Sequence, residues 1–325
     1  MSWQSAMPST PAKQKHLMNL KSLFSYGPWL IVGAAVLWAL DGLLRRSLYV
    51  LDPLIIVFYE HLIGSLLLIP AFLKEKKFDF LTSTVGLVLI VSLFSGLLGT
   101  LWFTTALVKV NFIPFSVVLL LQKLQPIFAT STAALVLKEK ITKKYMIWAG
   151  IAIVAAYFVT FKNGVVNLSA DNQTLQAALY AVGAAAAWGA STSFSKLLLN
   201  RVSSTTATAL RFFTTSVLAF IACLIFLPSN LIMEVNVSQL LRFSVIALST
   251  GMVALYIYYK GLQTTQAKVS TILELVFPVL GVVIDALVFK SFLSPTQLIA
   301  AVLLLFAVIK TASLNKETPR SDLAE

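Results

Sequence analysis

Charged residues are scarce in this sequence, whose 325 residues are 12% charged and 58% hydrophobic. Soluble globular domains carry roughly 25% charged residues. The mean hydropathy of +0.87 departs from such domains in the same direction. The composition therefore excludes an ordinary soluble domain and predicts an integral membrane protein.

Residues that catalyse reactions or bind metals are also few. The single cysteine, Cys223, excludes an internal disulfide and a cysteine metal cluster, and two histidines exclude a histidine cluster. The sequence has no Walker-type phosphate loop, no strand followed by GxGxxG, no HExxH and no GxSxG. We therefore expect no enzymatic activity and no cofactor, and any transport is expected to be driven by a gradient.

What the sequence has instead is a series of long apolar runs. A helix needs about 20 apolar residues to cross a hydrocarbon layer. Ten runs approach or exceed that length, at 29–50, 53–73, 84–107, 112–137, 145–161, 174–200, 205–227, 241–262, 267–289 and 295–314. The sequence therefore predicts an all-α polytopic membrane protein with ten transmembrane helices.

The basic charge indicates orientation. A formal net charge of +12 would suggest a nucleic-acid partner in a soluble protein. Here the lysines and arginines concentrate on the side of the N-terminus, so both termini are predicted to be cytoplasmic and no nucleic-acid partner is expected. Residues 1–28, which lack a cleavable apolar core, and residues 315–325 are expected to be cytoplasmic tails. The expected location is a bacterial inner (plasma) membrane.

An internal repeat divides the spans into two sets of five. GAAVLW at 33–38 recurs as GAAAAW at 183–188, and QKLQPIFATSTAALVLK at 122–138 aligns with ELVFPVLGVVIDALVFK at 274–290. Because five is odd, the second set enters the membrane from the opposite side, which makes the two halves an inverted repeat. Such a repeat provides two similar gates that face opposite sides, as alternating access requires.

The ten-span layout, the paired small-residue openings that end in Trp38 and Trp188, and the paired helices with mid-span Pro126 and Pro278 resemble the EamA family of the drug/metabolite transporter superfamily. The resemblance extends from Trp29 to Leu314. It implies two five-helix EamA-like repeats, at 29–161 and 174–314, and the export of amino acids or related metabolites, with protons as a candidate coupling ion.

Charges near mid-membrane are the first candidates for a binding site. A lysine such as Lys123 at the centre of a span costs about 2.5–3.5 kcal/mol on insertion, so its presence needs a reason. The repeat aligns Glu274 with Gln122, so Lys123 and Glu274 are expected at similar depth. They either pair with each other or hold the two ends of a zwitterionic substrate. Asp41 is a third candidate and is able to pair with Arg45 one turn away, although Arg45 is also close enough to the end of its span to extend into the interface.

Glu60 and His61, about two turns into the second span, are candidates for carrying a proton. The alternative is a structural role, in which His61 binds a backbone carbonyl and Glu60 pairs with Arg211 or Lys196.

Aromatic and proline residues complete the candidate site. Trp102 and Tyr256 are predicted to stack against a ligand, whereas Tyr258 is expected in an interfacial belt. Pro126 and Pro278 are predicted to kink their helices, either as functional hinges or for packing.

The sequence therefore predicts a secondary transporter, more specifically an exporter of a small polar or amphipathic metabolite such as an amino acid. Two alternatives stay open: an uptake permease for a nucleoside, vitamin or cofactor-like molecule, and a non-catalytic membrane adaptor. The expected partners are the small-molecule substrate and the lipid bilayer, with protons as the candidate coupling ion and a homodimer left open.

Overall fold

The computed structural model describes residues 26–74, 82–109, 113–137, 141–165, 172–265, 270 and 273–314. The predicted C-terminal tail and nearly all of the predicted N-terminal tail lie outside these residues.

All regular structure in the described residues is helical, and its long elements correspond to the ten predicted spans. They are α1 (Tyr26–Arg46), α2 (Pro53–Leu73), α3 (Thr82–Val91, Ser92–Gly99 and Thr100–Val108), α4a (Phe115–Gln122), α4b (Gln125–Leu137), α5 (Lys143–Thr160), α6 (Asn172–Leu199), α7 (Ser204–Phe226), α8a (Val237–Leu248), α8b (Met252–Thr264), α9 (Val276–Ile284 and Asp285–Phe289) and α10 (Pro295–Leu314). A short helix, Ser229–Met233, lies between α7 and α8a. The predicted all-α fold class is confirmed.

Several helices qualify as membrane spans by length and composition alone. Within the described part of the chain, five segments are long and apolar enough: Tyr26–Arg45, Pro53–Leu73, Ser83–Val108, Ser204–Phe226 and Val237–Thr264. The helices at Val276–Phe289 and Pro295–Thr311 are apolar but shorter.

Polar residues just before α2, α7 and α8a fix where these helices begin. Asp52 accepts the backbone N–H of Leu54 at 2.8 Å, and Pro53 occupies the first turn of α2, where its missing N–H costs nothing. Ser203 accepts the N–H of Thr206 at 3.1 Å at the start of α7. At α8a, Asn236 and Gln239 form a reciprocal capping box.

The two halves of the chain interleave. Helices α2, α4a and α5 pack against their repeat counterparts α7, α9 and α10. Helix α1 packs on α8b, and the equivalent pair in the other half, α6 and α3, also packs together. This reciprocal pattern is what a twofold axis in the membrane plane produces, and it brings residues of both halves to one centre.

The two proline-containing helices are interrupted near the middle. Helix α4 breaks at Lys123 and Leu124, and Pro126 lies in the first turn of α4b. Pro278 likewise lies in the first turn of α9, after a turn at Glu274. A first turn tolerates proline because its N–H groups have no intrahelical partner. The hinge role of both prolines stays a prediction.

A second pair of helices related by the repeat, α3 and α8, is irregular near the middle of each helix. Residues Ser92–Gly99 of α3 are π-helical, and α8 unwinds at Ser249–Gly251. Such segments release backbone groups from the helical pattern, and in membrane proteins they occur where other protein groups or a cavity satisfy them.

Gly189 shows how closely α6 approaches α4b. A Cβ atom at this position would lie 2.5 Å from the carbonyl oxygen of Gln125 and 3.1 Å from the backbone nitrogen of Ala129, so backbone would have to move. A Cβ atom at Gly150, on α5, would have no neighbouring atom within 4 Å.

We expect Gly189→Ala to lower the melting temperature of the detergent-solubilised protein, because overpacking against backbone costs about 1–3 kcal/mol. Gly150→Ala is the matched control and is expected to gain about 0.5–1 kcal/mol from the higher helix propensity of alanine. Thermal unfolding followed by size-exclusion chromatography measures both. Equal melting temperatures for the two variants would contradict the close approach.

Candidate functional site

A cavity lies where the irregular segments of both halves meet. Its empty volume is about 1060 Å³ including the part open at its mouth, and the lining comes from α1, α2, α3, α4, α6, α7, α8 and α9. Its aromatic lining includes Trp38, Phe103, Trp188, Tyr258, Tyr259 and Phe277. Its charged lining comprises Asp41, Glu60, Glu274, Arg45, Lys123 and Arg211.

Arg45 holds two carboxylates at one end of the charged lining. Its Nε atom lies 2.6 Å from Asp41 Oδ2, and its Nη1 atom lies 2.7 Å from Glu60 Oε2. Thr250, in the unwound part of α8, donates its hydroxyl to Asp41. The network joins α1, α2 and α8.

Two expectations about these residues are wrong. The Arg45 side chain does not extend into the interface, since it is 3% exposed and bound to both carboxylates. Glu60 pairs with Arg45 and forms no ion pair with Arg211 or Lys196. The reason is the same in both cases: α1 and α2 bring Asp41 and Glu60 to one depth, and a buried guanidinium can satisfy both.

Lys123 and Glu274 form a second pair, as one of the two alternatives predicted. Lys123 Nζ lies 3.6 Å from Glu274 Oε2 and 5.0 Å from the ring centroid of Phe277. The hydroxyls of Tyr258 and Ser270 donate to Glu274 Oε1 at 3.0 and 2.9 Å. Both charged residues lie at interruptions of their helices.

His61 is placed as its structural alternative describes. Its Nδ1 atom lies 2.8 Å from the carbonyl oxygen of Val57, and its ring packs on Phe212 with a centroid distance of 4.8 Å. His61 and Glu60 also line the cavity. Their part in carrying a proton stays a prediction.

The structure brings different aromatic residues to the cavity than the sequence suggested. Trp102 and Tyr256 are not among the lining residues, and the Trp102 ring lies against Gly183 on α6. Trp188 lines the cavity instead. Tyr258, expected in an interfacial belt, packs on Trp38 with ring centroids 5.0 Å apart.

Arg211 and Gln122 are two further lining residues that sequence reasoning did not place in the site. The available signal for Arg211 was a charge inside the apolar run 205–227, which usually marks function. Gln122 directly precedes Lys123 and was visible as the aligned partner of Glu274.

Comparison with known proteins agrees with this architecture. The EamA-like transporter family matches residues 25–161 and 175–312, one match for each half. The chain belongs to the EamA-like transporter family. It is therefore an integral membrane protein of a family of transporters for small molecules, as the sequence predicted.

One relative and one solved structure are informative. The chain is 37% identical over 295 residues to the riboflavin transporter ImpX of Fusobacterium nucleatum subsp. nucleatum, which covers 89% of this chain and 98% of the relative. The crystal structure of another protein has the same fold, with a TM-score of 0.62 and 18% sequence identity. The match covers 89% of this chain and 99% of the other chain.

We expect Arg45→Met to destabilise the protein by about 3–5 kcal/mol, because it leaves Asp41 and Glu60 buried without their cation. Arg242→Met is the matched control: Arg242 is exposed and donates to the carbonyl of Ser47, so its loss is expected to change stability by about 0.5 kcal/mol or less. Thermal unfolding in detergent measures both variants. If Arg45→Met has the same melting temperature as the wild type, the network does not stabilise the packing of α1 on α2.

Proposed function

We propose that this chain carries riboflavin, or a closely similar flat and uncharged heteroaromatic molecule, across the membrane by alternating access. The observation that carries the proposal is a cavity rich in aromatic rings whose charged side chains largely pair with one another. The 37% identity to a riboflavin transporter over nearly all of both chains supports the same substrate.

The aromatic lining suits a flat ring system. Trp38 and Tyr258 pack together at the cavity wall, Trp188 is held by a hydrogen bond from its Nε1 to the carbonyl of Ser95 at 2.9 Å, and Phe277 lies beneath Lys123. Aromatic side chains favour offset stacking with other rings, worth about 0.5–1.5 kcal/mol for each pair. The isoalloxazine ring of riboflavin is such a partner, and its polyhydroxyl chain suits the polar part of the lining.

The pairing of charges favours an uncharged cargo over a zwitterion. To hold the two ends of an amino acid, Lys123 and Glu274 would have to give up their contact at Oε2, while Tyr258 and Ser270 donate to the other oxygen, Oε1. A zwitterion would have to replace both charges of this pair, whereas an uncharged cargo leaves the pair intact. The vitamin-like alternative is therefore favoured over the amino-acid exporter that the family resemblance suggested.

The inverted repeat supports alternating access around a central cavity, and we expect the helices to bend at their interruptions, at Lys123, Glu274 and Ser249–Gly251. A secondary transporter moves its substrate in the direction set by the gradients of the substrate and of any coupled ion. Export and uptake are therefore the same cycle in opposite directions. The proposed setting is the bacterial inner membrane with both termini cytoplasmic, and Glu60 and His61 are the proposed route for a coupled proton.

The test is flux of radiolabelled riboflavin into proteoliposomes preloaded with unlabelled riboflavin, with empty liposomes as the background. We expect saturable uptake that excess unlabelled riboflavin inhibits and leucine does not. An imposed pH gradient in the same vesicles measures proton coupling. Exchange of labelled leucine without exchange of riboflavin would contradict the proposal.

A further inference from the structure

Arg211 is a buried cation without a carboxylate partner among the described residues. It lies on α7, is 9% exposed and lines the cavity. Its Nη1 donates to the hydroxyl of Tyr259 at 3.3 Å and its Nη2 to the carbonyl of Ser95 at 3.1 Å, while its Nε has no partner. A buried donor without an acceptor is costly, so such groups usually mark a ligand or a functional role.

Gln122 carries a second donor of the same kind at the same cavity. It is the last residue of α4a, is 2% exposed and lines the cavity, and its Nε2 has no hydrogen-bond partner in the described part of the chain. Gln122 belongs to the first half of the protein and Arg211 to the second. The two unused N–H donors thus approach one cavity from both halves.

We propose that Arg211 and Gln122 are specificity-determining residues that donate hydrogen bonds to neighbouring acceptors, ring nitrogens and carbonyl oxygens, on the edge of an uncharged heteroaromatic substrate. The inference rests on the proposed function and names the part of the substrate that the protein recognises by hydrogen bonds. Both nitrogens are buried on residues that line the cavity, so a small shift of each side chain has to bring its N–H to the substrate.

The charges of the cavity favour a neutral acceptor over a phosphate. Asp41, Glu60 and Glu274 are balanced by Arg45, Lys123 and Arg211 when His61 is neutral, so a phosphate dianion would leave about two uncompensated negative charges in a buried site.

Arg211 keeps free donors for such a neutral acceptor. Its two terminal nitrogens each use one N–H, on Tyr259 and Ser95, and its Nε–H has no partner among the described residues. Three of its five N–H groups are therefore available to a carbonyl oxygen or a ring nitrogen.

Donors from opposite halves also connect recognition to motion. Alternating access moves one half relative to the other around the site. A substrate bonded to α4a and α7 at once favours the arrangement in which both donors reach it, whereas a molecule without adjacent acceptors satisfies one donor at most. Arg211 and Gln122 therefore discriminate between ring systems before the conformational change of the transport cycle.

The test measures binding to the purified full chain in detergent, by the quenching of flavin fluorescence. The probes are riboflavin, lumiflavin, which has the ring without the polyhydroxyl chain, and flavin mononucleotide, the phosphate ester. We expect Arg211→Gln and Gln122→Met each to raise the Kd for riboflavin and for lumiflavin by about tenfold, the loss typical of a buried hydrogen bond. The wild type is expected to bind flavin mononucleotide at least about tenfold more weakly than riboflavin.

Controls keep the result decisive. Arg242→Gln removes an exposed arginine and is expected to leave every Kd unchanged. If Arg211→Gln does not fold, Gln122→Met, which removes no charge, decides the question alone.

Three results would overturn the inference. A folded Gln122→Met or Arg211→Gln variant with an unchanged Kd for lumiflavin shows that the ring is not read by that donor, and leaves the proposed function standing. Tighter binding of flavin mononucleotide than of riboflavin shows an anion site instead. A wild type that binds none of the flavins contradicts the proposed function, and the inference falls with it.

Discussion

The pairing of buried charges is the constraint on which the rest of this structure depends. An unpaired ion in the middle of a membrane costs several kcal/mol, so each charge requires a partner or a function. Arg45 pairs with both Asp41 and Glu60, and Lys123 pairs with Glu274. These contacts hold α1, α2, α4 and α9 around the cavity. They also leave a polar, aromatic space with little free charge, which is why we propose an uncharged heteroaromatic cargo and not a zwitterion.

The pairs form where the helices are irregular. Lys123 and Glu274 each lie at an interruption, and Thr250 reaches Asp41 from the unwound segment of α8. Gly251 lies so close to Glu60 that a Cβ atom there would be 2.9 Å from its Oε1. Because counterpart helices of the two halves carry these irregularities, the same places that satisfy the charges are suited to bend during alternating access.

The sequence predicts those features that depend on local pattern and repetition. Apolar runs locate the helices, the repeat predicts that Lys123 and Glu274 lie at similar depth, and the four-residue spacing allows Asp41 to pair with Arg45. It does not predict the contact of Arg45 with Glu60, which depends on how α1 packs on α2. Nor does it reveal the unwinding at Ser249–Gly251, which sets the rotation of α8b and so places Tyr258, and not Tyr256, at the cavity.

The most direct test of the central claim, that the paired buried charges serve one another and not the substrate, is riboflavin exchange by the charge-swapped variant Lys123→Glu/Glu274→Lys. The account predicts that each single change lowers exchange by about tenfold or more, since it leaves a buried charge unpaired. The swapped pair is expected to recover exchange to within a few fold of the wild type, as coupled residues do. A swapped protein that folds as well as the wild type but exchanges no more than the single variants would show that Lys123 binds the substrate as a cation, and would contradict the account.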